Sequence, residues 1–186
     1  GAPISNAKIT VAPPVTTTPI WVAWQYLIDT APINILTGGS SPIIGKKLLL
    51  DLLLTKNTAD TLDPLIGRGP GLTPAGDDFI VGFLAGNKAS LNGDVDLKLK
   101  PLATNDISLA ALSEAHRGYF GAPILTLIES IHHGQSKGVE IAMADNLAIG
   151  ATSGMAGALG VLIGLLQNYC DGNSAEIEAK IQLLFS

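Results

Sequence analysis

The sequence predicts a mainly α-helical domain with a small β or irregular N-terminal part. The chain has 186 residues, enough for one compact domain. Hydrophobic residues make up 47% and charged residues 15% of it, so a sizeable core is available and global disorder is excluded. After Ser41, helix-start signals and apolar residues at helical spacing alternate with short connections. We therefore divide the chain into an N-terminal strand and loop, residues 1–41, and a helical domain, residues 42–186.

The N-terminal part carries one weak strand signal and one ambiguous segment. Residues 8–11 alternate between polar and apolar side chains, which is typical of a strand, and the two prolines that follow end its ladder because proline has no backbone N–H group. The apolar and aromatic segment 21–29 fits either a short helix or a short strand. Residues 37–42 are rich in Gly and Ser and predict a loop.

Seven helices are predicted after this loop. Ser41 is positioned to cap the first helix, with Pro42 at its first helical position, and Asp106 is positioned to cap the third. The predicted ranges are 42–56, 75–89, 106–117, 123–132, 139–149, 152–169 and 174–184. A turn-rich connection over 57–68 and an excursion loop over 87–101 lie between them.

Four glycines lie near one stripe of the predicted helix 152–169, at steps of three and four residues. They are Gly154, Gly157, Gly160 and Gly164. Each internal glycine costs a helix up to about 1 kcal/mol relative to alanine, so a solvent-facing stripe of this kind is unfavourable. We therefore expect another helix backbone to pass close along the stripe, namely the helix that starts at Ala75. This contact would bring the starts of the two helices together.

The same region also has some features of a membrane span. Residues 146–170 carry no charge and as a helix would be about 37 Å long. However, the wholly nonpolar part, residues 154–166, has the length of a buried core helix. No cluster of Lys or Arg flanks it. We therefore expect a buried helix and no association with a membrane.

Charge and cysteine content exclude several classes of function. Sixteen acidic and 11 basic side chains give a net charge of −5, which argues against a nucleic-acid partner. The single cysteine, Cys170, excludes a disulfide framework and a Cys-ligated zinc site. It also fits a reducing compartment, and no secretory signal is visible at the start. We expect a cytoplasmic protein.

The most informative segment is the run of residues 67–79, GRGPGLTPAGDDF. Gly69 and Gly71 permit backbone angles closed to other residues, and the two prolines fix theirs, so a rigid turn with exposed N–H groups is expected. Thr73 is positioned as the N-cap of the helix that follows. A glycine loop that leads into a helix N-terminus suits phosphate or carboxylate, and Arg68 adds a positive charge beside it.

Two aspartates, Asp77 and Asp78, follow this loop at the start of the helix. With waters and a substrate phosphate they would suit Mg²⁺. Alternatively, the prolines and glycines only shape a turn and the aspartates favour the helix dipole. Side chains at successive helical positions diverge by about 100°. We therefore expect at most one carboxylate to face a cleft, and the other to cap the helix or to bond the loop backbone.

These residues are part of a longer pattern that resembles a known family. The hallmark of the AllH-type subunits of oxamate carbamoyltransferase is similar to the run Gly69-Pro70-Gly71-Leu72-Thr73-Pro74-x-x-Asp77-Asp78. Similar family elements follow in order: Thr104-Asn105-x-x-Ser108, Gly118-Tyr119-Phe120-x-x-Pro123-Ile124-Leu125 and Ile149-Gly150-x-Thr152-Ser153-Gly154. The resemblance extends over residues 8–166.

The resemblance implies a subunit of a carbamoyl-transferring assembly with a small anionic substrate. The family reaction interconverts oxalurate and phosphate with oxamate and carbamoyl phosphate in anaerobic allantoin breakdown, a branch of purine catabolism. Other carbamoyltransferase subunits are the implied partners. No cofactor is required, although Mg²⁺ is compatible with the two aspartates.

The implied cleft lies between the loop 69–78, the turn 104–108 and the helix start at 152–153. Asp77 and Asp78 are the candidate catalytic residues and also the candidate metal ligands. The candidate substrate-binding residues are Arg68, Gly69, Gly71, Thr73, Gly76, Thr104, Asn105, Ser108, Thr152 and Ser153. Loop amides among them are expected to hold phosphate or carboxylate and to stabilise a developing oxyanion.

The sequence departs from the family pattern at several places. Ala151 stands where the family often has His, Ala156 where it often has Asp, and Asn105 where a second Thr is common. Family members also commonly carry a further, β-rich N-terminal region, so we expect residues 1–41 to be the remnant of a longer segment.

Two other functions stay open. An Mg²⁺-dependent hydrolase of a nucleotide-like substrate, similar to the ADP-ribosylglycohydrolases, would use the paired aspartates and the glycine-rich helix with Thr152 and Ser153 at its start. A non-catalytic scaffold subunit is favoured by the missing His and Asp. Metal titration separates the hydrolase from the other two functions.

Overall fold

The computed structural model describes residues 6–9, 16–55, 57–90, 94–100, 103–170 and 174–186. Within them the chain forms ten α-helices and one antiparallel pair of short strands, which confirms the predicted mainly α-helical class with a small β part. The helices are α1 (Thr18–Thr30), α2 (Asn34–Thr37), α3 (Lys46–Leu54), α4 (Thr58–Leu62), α5 (Ala75–Ala89), α6 (Asp106–His116), α7 (Ala122–His133), α8 (Ser136–Leu147), α9 (Ser153–Leu166) and α10 (Ser174–Gln182). The strands are β1 (Ala7–Lys8) and β2 (Tyr119–Phe120).

The N-terminal part resolves the ambiguous segment in favour of a helix. This helix, α1, buries Trp24 and Leu27 against the core. The strand predicted over 8–11 is instead the dipeptide β1, and the chain leaves the ladder with the Ile9 N–H group bonded to the Gly118 carbonyl at 3.1 Å. Residues 10–15, which include the two prolines, lie outside the described residues.

The first helix predicted after residue 41 begins later than expected. Gly45, with extended backbone (φ −89°, ψ 154°), precedes α3, so Ser41 and Pro42 do not start it. The reason is a contact with α2. Ile44 is fully buried and its N–H group donates to the Leu36 carbonyl at 3.0 Å, which keeps this stretch out of a helix. The short helix α4 occupies part of the connection predicted to be turn-rich.

The two longest described helices, α5 and α9, lie in direct backbone contact. A Cβ atom built on Gly160 of α9 would lie 2.1 Å from the carbonyl oxygen of Phe79 on α5. A Cβ atom on Gly164 would lie 2.3 Å from the carbonyl oxygen of Phe83. Only glycine allows the backbones to approach so closely. The predicted partner of the glycine stripe is therefore confirmed.

The contact is reciprocal because α5 carries glycines of its own. A Cβ atom on Gly82 would lie 1.9 Å from the carbonyl oxygen of Gly157. Gly154, at the end of the stripe, packs against α8 instead: its Cβ atom would lie 1.7 Å from the carbonyl oxygen of Asn146. The stripe thus serves two neighbours, and every residue of α9 after its first is buried.

Side-chain hydrogen bonds also join pairs of the other helices. The Asn146 side-chain amide of α8 donates to the Pro123 carbonyl of α7 at 2.9 Å, and the Trp24 indole of α1 donates to the Lys180 carbonyl of α10 at 3.2 Å. In the part of the chain that the structure describes, no helix is long and apolar enough to cross a membrane.

Alanine in place of Gly160 should destabilise the protein, because its Cβ atom would meet a backbone carbonyl that cannot move without separating α5 from α9. We expect a loss of about 1–3 kcal/mol, as for other overpacked cores, measured by urea unfolding. The matched control is Gly138→Ala in α8, where a Cβ atom meets nothing within 4 Å. That change should leave stability unchanged or raise it by up to about 1 kcal/mol. A rise in the urea midpoint for both variants would contradict the packing of α5 on α9.

Candidate functional site

The loop before α5 has the constrained backbone that its glycines predict. Gly69 and Gly71 both have a φ of +107°, a conformation that residues with a side chain rarely adopt. Gly76, in the first turn of α5, packs on the chain before the loop: its Cβ atom would lie 2.1 Å from the Leu65 carbonyl oxygen. Its N–H group donates to the Arg68 carbonyl at 2.9 Å. These contacts fix the loop against the start of the helix.

The predicted N-cap at this helix start is wrong. Pro74, with extended backbone (φ −57°, ψ 136°), is the capping residue, and its carbonyl accepts from the N–H groups of Asp77 at 2.9 Å and Asp78 at 3.1 Å. The Thr73 hydroxyl does not cap α5. It lies 2.9 Å from the Ser153 hydroxyl at the start of α9, so this side chain joins two helix starts instead.

Asp77 ties the loop and the 104–108 turn to α5. It is only 2% exposed. Its Oδ1 atom accepts from the Gly67 N–H group at 2.8 Å, and its Oδ2 atom accepts from the Thr104 hydroxyl. Both oxygens are therefore engaged by the protein, and the role of bonding the loop backbone, which we expected for one of the two aspartates, belongs to Asp77.

Asp78 has a different environment. It is half-buried beside the hydroxyls of Ser153 and Thr73, and its Oδ2 atom is buried without a hydrogen-bond partner. Burial raises the pKa of its carboxyl, because the charged form loses hydration. The two hydroxyls lower this pKa, and the nearby charge of Asp77 raises it, both to a smaller extent. Asp78 is thus the aspartate that remains open to further partners.

The 104–108 turn lies on the same side of the molecule as the loop. Asn105, rather than Asp106, is the N-cap of α6: its side-chain oxygen accepts from the Ser108 N–H group at 2.9 Å. Its side-chain NH₂ group donates to the Leu72 carbonyl at 2.7 Å, so the same side chain also connects the turn to the loop. Ser108 is 1% exposed and its hydroxyl has no partner in the described structure.

The start of α9 completes the arrangement. Thr152 precedes the helix and makes no side-chain cap, while its carbonyl accepts from the Ala156 N–H group at 2.9 Å. Ser153 reaches the loop through Thr73, as expected if the two helix starts converge. We use the term loop–helix cluster for the side chains joined here: Thr73, Asp77, Asp78, Thr104 and Ser153.

Arg68, a predicted substrate contact, has its partners elsewhere. Its guanidinium group donates to the Ser41 hydroxyl at 3.4 Å and to the Pro42 carbonyl at 3.3 Å, both before α3. These are long hydrogen bonds and correspondingly weak. The positive charge that the sequence placed beside the glycine loop therefore contacts the segment before α3 in this structure, through weak bonds.

Backbone donors of the loop are available. None of the hydrogen bonds formed among the described residues uses the N–H groups of Gly69, Gly71, Leu72 or Thr73. Such amides are suitable donors for an anion. For metal binding, the described ranges contain no group of three or more His, Cys, Asp or Glu side chains able to hold an ion together.

Three exposed apolar side chains near the cluster were not foreseen from the sequence. Leu72 in the loop is 75% exposed, Ile107 in the first turn of α6 is 54% exposed and Ile149 before α9 is 42% exposed. A signal for Leu72 existed, because it is the one large apolar residue within the rigid run 67–74. The other two fall within or beside helical periods, where sequence does not reveal which apolar residues stay exposed.

The two aspartates should respond oppositely to amide substitution. In Asp77→Asn, an NH₂ group replaces one of the two carboxylate oxygens that accept from the Gly67 N–H group and the Thr104 hydroxyl, so one of these donors loses its acceptor. We expect the free energy of unfolding at neutral pH to fall by about 1–3 kcal/mol. Asp78→Asn removes a carboxylate whose ionisation is disfavoured by burial, so it should be neutral or stabilising.

The pH dependence gives the sign for Asp78. The pKa of Asp78 is higher in the folded protein than in the unfolded chain, where it is about 4. Below about pH 4 this carboxyl therefore does not reduce the stability of the wild type, and its ionisation lowers that stability as the pH rises from there through the folded pKa. Asp78→Asn should therefore match the wild type near pH 3 and gain on it toward pH 7, measured by urea unfolding across this range. Equal losses for both variants would mean that both carboxylates are structural.

The segment that builds this site is also the segment that matches a known family. The family model described as oxamate carbamoyltransferase subunit AllH matches residues 65–165, which contain the loop, the 104–108 turn and the start of α9. A comparison with solved structures finds no match. Since the matched segment covers more than half of the chain, the protein belongs to the family of oxamate carbamoyltransferase subunit AllH.

Proposed function

We propose that this protein binds a small anion at the loop–helix cluster, as a subunit of an oxamate carbamoyltransferase-type assembly. Membership of the AllH family supports the carbamoyltransferase context. The substrates of such an enzyme carry a carboxylate or a phosphate group, so the chemistry to be recognised is a small oxyanion.

One observation carries the proposal: four successive or near-successive loop amides lack a hydrogen-bond partner in the described structure, beside the starts of two long helices. The N-terminus of a helix carries a partial positive charge and favours a bound anion. Pro70 and Pro74, the Gly76 N–H bond to the Arg68 carbonyl and the Gly67 N–H bond to Asp77 constrain the loop, which lowers the cost of ordering its amides on binding.

The aspartates do not oppose this binding as strongly as their charges suggest. The Asp77 carboxylate accepts hydrogen bonds from the Gly67 N–H group and the Thr104 hydroxyl, which occupy both of its oxygens and turn them away from an incoming anion. Burial raises the pKa of Asp78, which makes a proton on its carboxyl easier to hold.

The hydroxyls of Thr73 and Ser153 add adaptable donors. Their oxygen atoms lie 2.9 Å apart, so one hydroxyl donates to the other. An anion within reach of both hydroxyls can accept hydrogen bonds from them instead. The same donors and the loop amides would stabilise an oxyanion that develops on a carbamoyl group during transfer. We assign the cluster a binding and electrostatic role and assign it no covalent step.

Ser153→Ala tests the site. In an NMR titration of the wild type with phosphate, and separately with oxamate, the amide signals of residues 69–73 should move first. Removing the Ser153 hydroxyl should raise the dissociation constant about fivefold, as expected for the loss of one hydrogen bond of about 1 kcal/mol. Ser136→Ala, at the start of α8, is the matched control and should leave the dissociation constant unchanged.

If the signals of 69–73 stay still at tens of millimolar anion while signals elsewhere move, the cluster is not the anion site. If Ser153→Ala binds the anion as tightly as the wild type and the amide signals of 69–73 still move, the loop amides bind the anion and the Ser153 hydroxyl does not.

A further inference from the structure

We propose that a cavity at the far end of α5 and α9 from the loop–helix cluster binds a small organic cation, namely an alkylamine in its ammonium form. This site is independent of the proposed anion site, because none of the residues of the loop–helix cluster lines the cavity. The direction of the two helices, the lining of the cavity and one buried amide oxygen support the assignment.

The helices α5 and α9 run parallel. Gly160 of α9 lies against the carbonyl of Phe79 on α5. One turn further along both helices, Gly164 lies against the carbonyl of Phe83. The two N-termini therefore meet at the loop–helix cluster, and the two C-termini meet at the opposite end. Since a helix C-terminus carries a partial negative charge, two of them side by side favour a cation.

A cavity of about 500 Å³ lies at these C-termini. Its lining includes residues 52–54 in the last turn of α3, Asn87 in the last turn of α5 and Gln167 directly after α9. The segment 94–96 also lines it. The end of a third helix, α3, thus adds to the negative partial charge, and a cavity of this size accommodates a small molecule.

The polar side chains of the cavity leave acceptors open. The Asn87 NH₂ group donates to Gln167 Oε1 at 2.7 Å, and the Gln167 NH₂ group donates to the Leu52 carbonyl. Asn87 is only 2% exposed, yet its Oδ1 atom has no hydrogen-bond partner among the described residues. The Asp96 carboxylate forms no ion pair with a described residue. An ammonium group has three N–H donors and no acceptor, so it matches this lining.

An organic cation fits the cavity better than a metal ion. The described residues contain no group of three or more His, Cys, Asp or Glu side chains able to hold an ion. The second carboxylate at the cavity, that of Asp94, is already paired with Lys88 at 2.6 Å. Leu53 and Val95 contribute apolar side chains to the lining, which suit the carbon chain of an amine.

The test compares 1,4-diaminobutane with 1,4-butanediol, which has the same carbon chain and no charge. In an NMR titration at about 0.15 M salt, the diamine should shift the side-chain NH₂ signal of Asn87 and the backbone amide signals of 52–54 and 94–96. The diol should leave these signals in place at the same concentration. Equal shifts with both compounds, or no shift at tens of millimolar diamine, would overturn the proposal.

Asp96→Asn tests the contribution of charge at the cavity. Asp96 is exposed, so the variant should fold, which circular dichroism checks. Loss of its charge should raise the dissociation constant for the diamine about fivefold. The matched control is Asp145→Asn, because Asp145 is an exposed residue of α8 that does not line the cavity. Equal weakening by both changes would mean that the diamine responds only to the net charge, and would overturn the proposal.

The outcomes also separate this site from the anion site. Phosphate should not compete with the diamine, because the two sites lie at opposite ends of the helix pair. Phosphate shifts at residues 69–73 without any response to the diamine would leave the proposed function intact and remove the cation site. A selective diamine response without phosphate shifts would do the reverse.

Discussion

Backbone contact between α5 and α9 is the constraint on which the rest of the structure depends. Glycines on both helices remove the side chains that would hold them apart, and carbonyl oxygens of one helix occupy the space that a Cβ atom of the other would need. Helices with ordinary side chains pack with their axes 8–10 Å apart. The closer approach fixes the two helices in register along their length, so the positions of their N-termini follow from core packing.

The polar bonds of the loop–helix cluster use this register. Asp77 joins the loop, the 104–108 turn and α5, while Thr73 and Ser153 join the loop to α9. The side chains of Asp77, Thr73 and Ser153 are short, so each reaches its partner only because the helix starts are already adjacent. Asp78, between them, is left with a buried oxygen that no described group satisfies. In this way an apolar contact between the two helices sets the spacing of the polar groups at its end.

The features that sequence revealed are those decided by local sterics or by helical spacing. The glycine stripe predicted its partner because glycine at intervals of three and four residues has no favourable role on an exposed helix. The divergence of adjacent helical side chains predicted that one aspartate would cap the helix or bond the loop backbone, but not that this aspartate would be Asp77. The cap at Thr73 failed because a hydroxyl on α9, 80 residues away, competes for the same side chain. Exposure of Ile107 and Ile149 depends on which faces neighbouring helices cover, and periodicity alone does not contain that information.

The separation in sequence between the two helices also bears on how the protein is made. The loop and α5 emerge from the ribosome before α9, and the hydroxyl pair at the cluster joins residues 80 positions apart. Until α9 has been synthesised, the glycine face of α5 has no partner. Contacts this distant along the chain form slowly, and exposed apolar surface invites aggregation in the interval. Translation of α9 is therefore the step that both protects the nascent chain and assembles the site.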